Sequence, residues 1–308
     1  MLNKISPIDL CKKLFPINRS LTGKGNRETL SILKGVCPQL VVKSYKSKEK
    51  VFDWKIPKEW IVKDAYILTP ENKKICSFKK NNLHLVGYSG SINKNINLKD
   101  LQKNLHSLPD QPNAIPYITS YYVKTWGFCI ADKQRKKLKE GVYKVVIDTK
   151  FIDGKLDYAE IVYKGSLKKE IFFSTYICHP SMANDEISGM VVATFLANYL
   201  RKKNTRYSYR FLFIPETIGS IAYLSKNLNI LKNNMLAGYV LSCVGDERCF
   251  SFLPSKYGNT PSDNIAKEIF KKIKTKKKIF DWSERGSDER QYCAPLVDLP
   301  VSSIMRSK

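Results

Sequence analysis

The chain has 308 residues, 43% of them hydrophobic, and carries 53 Lys and Arg against 28 Asp and Glu, a formal charge of +25. That apolar content excludes a disordered polymer, and no apolar run approaches the roughly 20 residues of a membrane span. The charge excess is mostly lysine, whereas arginine, the better reader of phosphates and base edges, is sparse and dispersed; a specific nucleic-acid partner is not expected.

The start, Met1 to Asp9, lacks the charged-then-apolar layout of a secretory leader. The eight cysteines show no CxxC spacing. A cytoplasmic protein with reduced cysteines is the expectation. From Ser6 to about Lys34 the pattern predicts helix, broken by the loop Pro16 to Gly25, with Leu10, Leu14, Leu30 and Leu33 facing inward. Gln39 to Tyr45 predicts a strand. From Val51 to about Tyr122 short extended pieces alternate with polar turns, with helical spacing only at Leu98 to Leu105; this predicts a small β-rich insertion.

From Tyr143 strands and helices alternate. Val145–Ile147, Tyr158–Tyr163, Ile171–Tyr176, Arg210–Ile214 and Gly238–Leu241 predict strands. Ile187–Leu200, Ile218–Leu228 and Ser262–Ile273 predict helices, the first burying Ile187, Met190, Val191, Phe195 and Tyr199. The lysine run 271–278 predicts the solvated end of the last helix. Such alternation implies a layered α/β/α domain with a largely buried central sheet. The expected partition is 1–48 with 123–308 as the α/β domain and 49–122 as the insertion.

In open α/β sheets functional groups collect in loops at the carboxyl ends of strands. Three such loops carry candidates. His179, one of only three histidines, precedes Asp185 and Glu186; Glu216 follows a buried strand; Asp246 and Glu247 follow another. Imidazole and carboxylate are ligands that zinc prefers. Plainer roles stand beside these: Asp185 occupies a helix-capping place, and Glu216 suits a first helical turn.

His179, the Asn184-Asp185-x-x-Ser188-Gly189 turn, Glu216 ahead of Gly219-Ser220, and Ser287-Asp288 resemble the zinc-dependent exopeptidases of the aminopeptidase Y and leucyl aminopeptidase kind. Asn18-Arg19-Ser20-Leu21-Thr22-Gly23, Pro57-Lys58-Glu59-Trp60, Leu83 to Ser89 and Ser107 to Pro112 are similar to a narrower bacterial group of aminopeptidase-like proteins, with an inserted small β domain and usually a C-terminal winged helix. The resemblance implies a three-layer α/β/α zinc-exopeptidase (phosphorylase/hydrolase-like) domain with a mixed, mostly parallel sheet.

It also implies that His179 and Asp185 are metal ligands and that Glu216 is the general base, with Glu186 and Asp288 on the substrate side. The expected substrate is a peptide or peptide-like small molecule. One zinc is expected rather than two. Thr217 stands where the pattern has a second glutamate, Ser242 where it has an aspartate, and the last histidine of the pattern lies beyond the segment ending at Lys308. Without a winged helix, the chain resembles a truncated member. No organic cofactor and no membrane partner are implied, and a homo-oligomer is compatible with the pattern. The alternative expectation is a catalytically impaired binding protein of the same fold, associated with surface-polysaccharide biosynthesis.

Overall fold

The computed structural model describes residues 5–121 and 123–306. Residues 1–4 of the expected leader-free start, the expected insertion boundary at Tyr122, and the expected point of truncation at Ser307 and Lys308 lie outside the described residues. Two compact units follow from the contacts. One comprises residues up to Lys58 and from Asp153 onward; the other is Glu59–Ile152.

In the larger unit helix α1 (Pro7–Leu14) starts with Ser6 accepting from the Asp9 amide at 3.1 Å and with proline in its first turn. Helix α2 (Lys24–Val36) buries Leu30, Leu33 and Val36. Eight strands then build one sheet: β1 (Val41–Lys46), β2 (Lys155–Tyr163), β3 (Leu167–Tyr176), β4 (Tyr207–Ile214), β5 (Met235–Leu241), β6 (Phe250–Leu253), β7 (Lys277–Ile279) and β8 (Val301–Met305). Their spatial order is β1-β2-β4-β3-β5-β8-β6-β7. Neighbours β4-β3, β3-β5, β5-β8 and β6-β7 are parallel, while β1-β2, β2-β4 and β8-β6 are antiparallel. The sheet is therefore mixed, with parallel strands at its centre.

Period-two alternation sorts the side chains of the central strands onto two faces. Phe173, Phe211 and Tyr239 stack on one face, beneath α1, α2, α3 (Ser188–Leu200) and α5 (Pro261–Lys272). Phe172 and Arg210 project from the other, where Tyr223 of α4 (Ile218–Asn234) and Tyr292 of the short helix Glu289–Tyr292 meet them. This is the three-layer arrangement, and it carries the parallel strand ends that bear the site.

The structure shifts several expectations. The buried seam of α3 is Met190, Val191, Ala193, Thr194 and Ala197, while Tyr199 is 61% exposed. Steps of four residues drift off a helix of 3.6 per turn, so a seam carried by repeated i+4 spacing cannot stay buried to Tyr199. The lysine run is not one helix end: α5 stops at Lys272, and Lys277 and Lys278 begin the edge strand β7, where exposed lysines discourage further pairing. The smaller unit is Glu59–Ile152. Val142–Ile152 belongs to it because that strand pairs with Glu59–Leu68 on one side and Ile92–Asn97 on the other, all antiparallel.

One buried ionic network ties the central strands to α4. Arg210 donates through Nε and Nη2 to both oxygens of Glu170, at 2.8 and 3.0 Å, and through Nη1 to Glu160 at 3.2 Å. Tyr223 donates to the same Glu160 oxygen at 2.8 Å. Burial works against the charge of Glu160, yet Lys43, Tyr223 and Arg210 hold its pKa below the ordinary value. Its contribution to stability is thus present above the ordinary glutamate range and is lost as pH falls through the depressed pKa. Urea unfolding across pH 2–6 will show this acid loss, flattened in Glu160→Gln. Arg210→Met, which strands two carboxylates, will cost about 3–5 kcal/mol in the same assay.

Candidate functional site

Strands β3, β4 and β5 run parallel, so their carboxyl ends open on one edge of the sheet, and each hands a loop to the site. After β3 come Cys178 and His179, then a π-helical turn, Ala183–Ile187, that leads into α3. After β4 comes Pro215-Glu216-Thr217, and after β5 comes Ser242-Cys243. Gly189 allows the start of α3 to sit against β5: a Cβ there would lie 2.2 Å from the Leu241 carbonyl oxygen. Each loop also holds a non-glycine residue in the left-handed region, Ser181 at φ 47°, Thr217 at 58° and Cys243 at 51°. For a β-branched residue such as Thr217 this is strain, held in place by its surroundings.

The loops converge on His179, whose side chain is nearly buried. Nδ1 lies 2.9 Å from Asp185 Oδ2, and Nε2 lies 3.2 Å from Glu216 Oε2. Two carboxylates thus face opposite nitrogens of one ring, an arrangement that selects the imidazolium as donor at both ends. Burial opposes that charge, but Cys178, Asp185 and Glu216 outweigh it and raise the His179 pKa well above the ordinary value. Asp185 is held low in turn: burial opposes its charge, and hydrogen bonds from His179 and from Tyr176, whose hydroxyl donates to Oδ1 at 2.8 Å, prevail.

Glu216 is oriented from the other side, where Ser287 Oγ donates to its Oε1 at 2.7 Å. The next residue, Asp288, is fully buried; its Oδ1 accepts from the strained Thr217 amide at 2.6 Å and from Ser220 Oγ at 2.9 Å. Glu186 is also buried. One of its oxygens accepts from the His179 amide and the other from Arg19 Nε at 2.9 Å. Of the residues singled out from sequence, His179, Asp185 and Glu216 share one cluster. Glu186 and Asp288, expected on the substrate side, are both buried, and both oxygens of Glu186 accept hydrogen bonds. Asp246 lies at the rim, accepting from Asn184 Nδ2 at 3.1 Å and from Arg248 at 2.8 Å.

Sequence reasoning gave no role to Arg19, Tyr176, Cys243 or Ser287. Arg19 and Ser287 each lay in a motif of the family resemblance, which was their one signal. His84 and His106 both lie in the smaller unit.

Imidazole nitrogen and carboxylate oxygen are zinc-type donors, and separations of 2.9 and 3.2 Å approach the edge of about 3.4 Å that follows from bonds near 2.1 Å in a tetrahedral site. Because Asp185 and Glu216 meet opposite nitrogens of the ring, one ion can join His179 to only one of them, through Nδ1 with Asp185 or through Nε2 with Glu216. Cys178, His179 and Glu186 also bring ligand atoms within 4.8 Å of one another. That trio suits a metal less well. Glu186 is spent on Arg19 and the His179 amide, and burial pushes the Cys178 thiol up to about 11.

Burial, then the nearby Glu216, push the Asp288 pKa up to about 8. A carboxyl group whose folded pKa is raised binds more protons folded than unfolded between about 4 and 8, so stability falls as pH rises through that window, by at most about 1.4 kcal/mol per unit from this group. Asp288→Asn keeps an acceptor for Thr217 and Ser220. Thermal or urea unfolding at pH 5 and pH 8 will show a smaller pH difference in this variant than in wild type.

Residues 8–308 match the family model described as a domain of unknown function, DUF4910. A Clostridium acetobutylicum protein, provisionally named a polysaccharide biosynthesis protein with aminopeptidase-like domain, is 44% identical over 299 residues, covering 97% of this chain and 68% of the relative. The crystal structure of a C. acetobutylicum protein provisionally called a peptidase superposes with a TM-score of 0.94 at 44% identity, covering 98% of this chain and 71% of that one. A zinc aminopeptidase from Bacillus subtilis gives a TM-score of 0.66 at 10% identity, over 98% of this chain and 85% of that one. At such low identity the last likeness establishes the fold, an aminopeptidase-like α/β architecture. No helix among the described residues is long and apolar enough to cross a membrane.

Proposed function

This chain belongs to the DUF4910 family, and we propose that it is a zinc-dependent aminopeptidase-like hydrolase that cleaves an amide bond in a peptide or peptide-like small molecule. The observation that carries this reading is the imidazole of His179 lying between Asp185 and Glu216 at the carboxyl edge of the sheet. His179 and Asp185 would hold the ion. Bound there, zinc would supply a Lewis acid that lowers the pKa of water toward about 7 and polarises the amide carbonyl.

The remaining work falls to the chain's own groups. Glu216 is oriented by Ser287, which donates to Oε1, while Oε2 lies 3.2 Å from His179 Nε2. Glu216 takes the proton of the reacting water as the oxygen bonds to the amide carbon, and returns it to the leaving nitrogen as the C–N bond breaks. Tyr176 fixes the Asp185 carboxylate, whose charge is retained because its pKa is held low. The strained Thr217, clamped by Asp288, fixes the backbone immediately after Glu216.

A second reading has its own support. Thr217 and Ser242 stand where the aminopeptidase pattern has a glutamate and an aspartate, and the Clostridium relative is named for polysaccharide biosynthesis. On that reading the protein binds a surface-polysaccharide precursor without turnover. Elemental analysis together with hydrolysis of chromogenic aminoacyl anilides separates the two. The hydrolase reading expects about one zinc per chain, lost in His179→Ala, and a roughly 100- to 10,000-fold fall in kcat for Glu216→Gln. Protein that takes up no zinc and cleaves nothing overturns it.

A further inference from the structure

The loop Asn18-Arg19-Ser20-Leu21-Thr22-Gly23 was distinctive in sequence, yet the proposed chemistry makes no use of it. Its one charged side chain, Arg19, is buried, and it reaches a residue 160 positions away. Nε donates to the His179 carbonyl oxygen at 3.0 Å and to Glu186 Oε1 at 2.9 Å, and Nη1 donates to the Leu14 carbonyl oxygen at 2.7 Å. The other oxygen of Glu186 accepts from the His179 amide. One ion pair therefore grips both backbone polar groups of the residue whose ring centres the site.

The loop is built to hold that arginine in place. Asn26 Nδ2 donates to the Ser20 carbonyl at 2.7 Å, and the Asn18 carbonyl packs so closely on Gly25 that a Cβ there would lie 1.9 Å from its oxygen. A buried ion pair adds little net stability over an apolar pair of equal volume, so its retention here calls for another reason. Fixing a histidine backbone between two opposed carboxylates is such a reason: a peptide displaced by one hydrogen bond would carry the ring away from Asp185 and Glu216.

We infer that Arg19 and Glu186 are positioning residues, an N-terminal clamp that sets the orientation of His179 without touching substrate. The inference rests on the hydrolase reading for what His179 does, but not for how it is held. The chain has three histidines, and His84 and His106 lie in the other unit, so protein labelled with 15N-histidine gives one site signal and two internal references. Arg19→Lys keeps the charge but loses the planar guanidinium, which serves Glu186 and the His179 carbonyl from Nε and the Leu14 carbonyl from Nη1. Glu186→Gln replaces an acceptor facing the His179 amide with a donor if its remaining oxygen stays on Arg19.

Both variants are expected to move the His179 amide and ring-nitrogen signals while His84 and His106 stay still. Arg19→Met/Glu186→Met removes both charges together and serves if a single variant fails to fold; it is expected to move the same signals. In hydrolysis each variant is expected to lower kcat about 10- to 100-fold with KM little changed. His179 signals unmoved in folded variants overturn the clamp, and so does full recovery by Arg19→Lys, which would leave charge alone as its role. If Glu216→Gln leaves hydrolysis untouched the proposed function fails, while the histidine signals still decide the clamp.

Discussion

The site depends on one imidazole held from four directions. His179 meets a carboxylate at each ring nitrogen, and a buried ion pair engages its amide and its carbonyl. Each contact involves a charged group, and the Arg19–Glu186 pair is fully buried, where a missing partner costs far more than it would in water. The surrounding architecture follows from supplying those partners together. Parallel strands bring Asp185 and Glu216 to one edge, the loop between α1 and α2 delivers Arg19, and the segment before Glu289–Tyr292 contributes Ser287 and Asp288.

Charge is distributed very unevenly between surface and interior. The chain is strongly basic, but most lysines lie in solvent, where pairs such as Lys12 with Asp9 or Lys271 with Glu268 add little. Inside, two buried arginines are each met by acids: Arg210 by Glu160 and Glu170, and Arg19 by Glu186 beside His179. The planar fork of arginine can satisfy several acceptors at once. Among the described residues, Arg19 and Arg210 are the buried Lys or Arg side chains.

Asp185 and Glu216 illustrate how capping and chemistry share residues. Sequence position alone suited both to the ends of helices, yet neither side chain caps one: Asp185 turns to His179 and Tyr176, and Glu216 turns to His179 and Ser287. The helix ends are instead opened by a π-helical turn before α3 and by a left-handed threonine before α4. Irregular backbone replaces the cap, which releases the carboxylates for the site.

The sequence by itself determined the alternation of strands and helices, because period-two and 3.6-residue patterns are local and survive without tertiary contacts. It also determined that His179, Asp185 and Glu216 are candidates, because a rare histidine beside acids at strand ends stands out against so lysine-rich a background. Tertiary structure decided the rest. Strand Val142–Ile152 reads like any other strand, and only its pairing partners assign it to the smaller unit. Glu186 and Asp288 look like available acids until burial removes them from solvent. Arg19 lies in a distinctive motif, but its role is not legible there, because it is set by a loop closure bringing together residues 160 positions apart, a distance no local pattern spans.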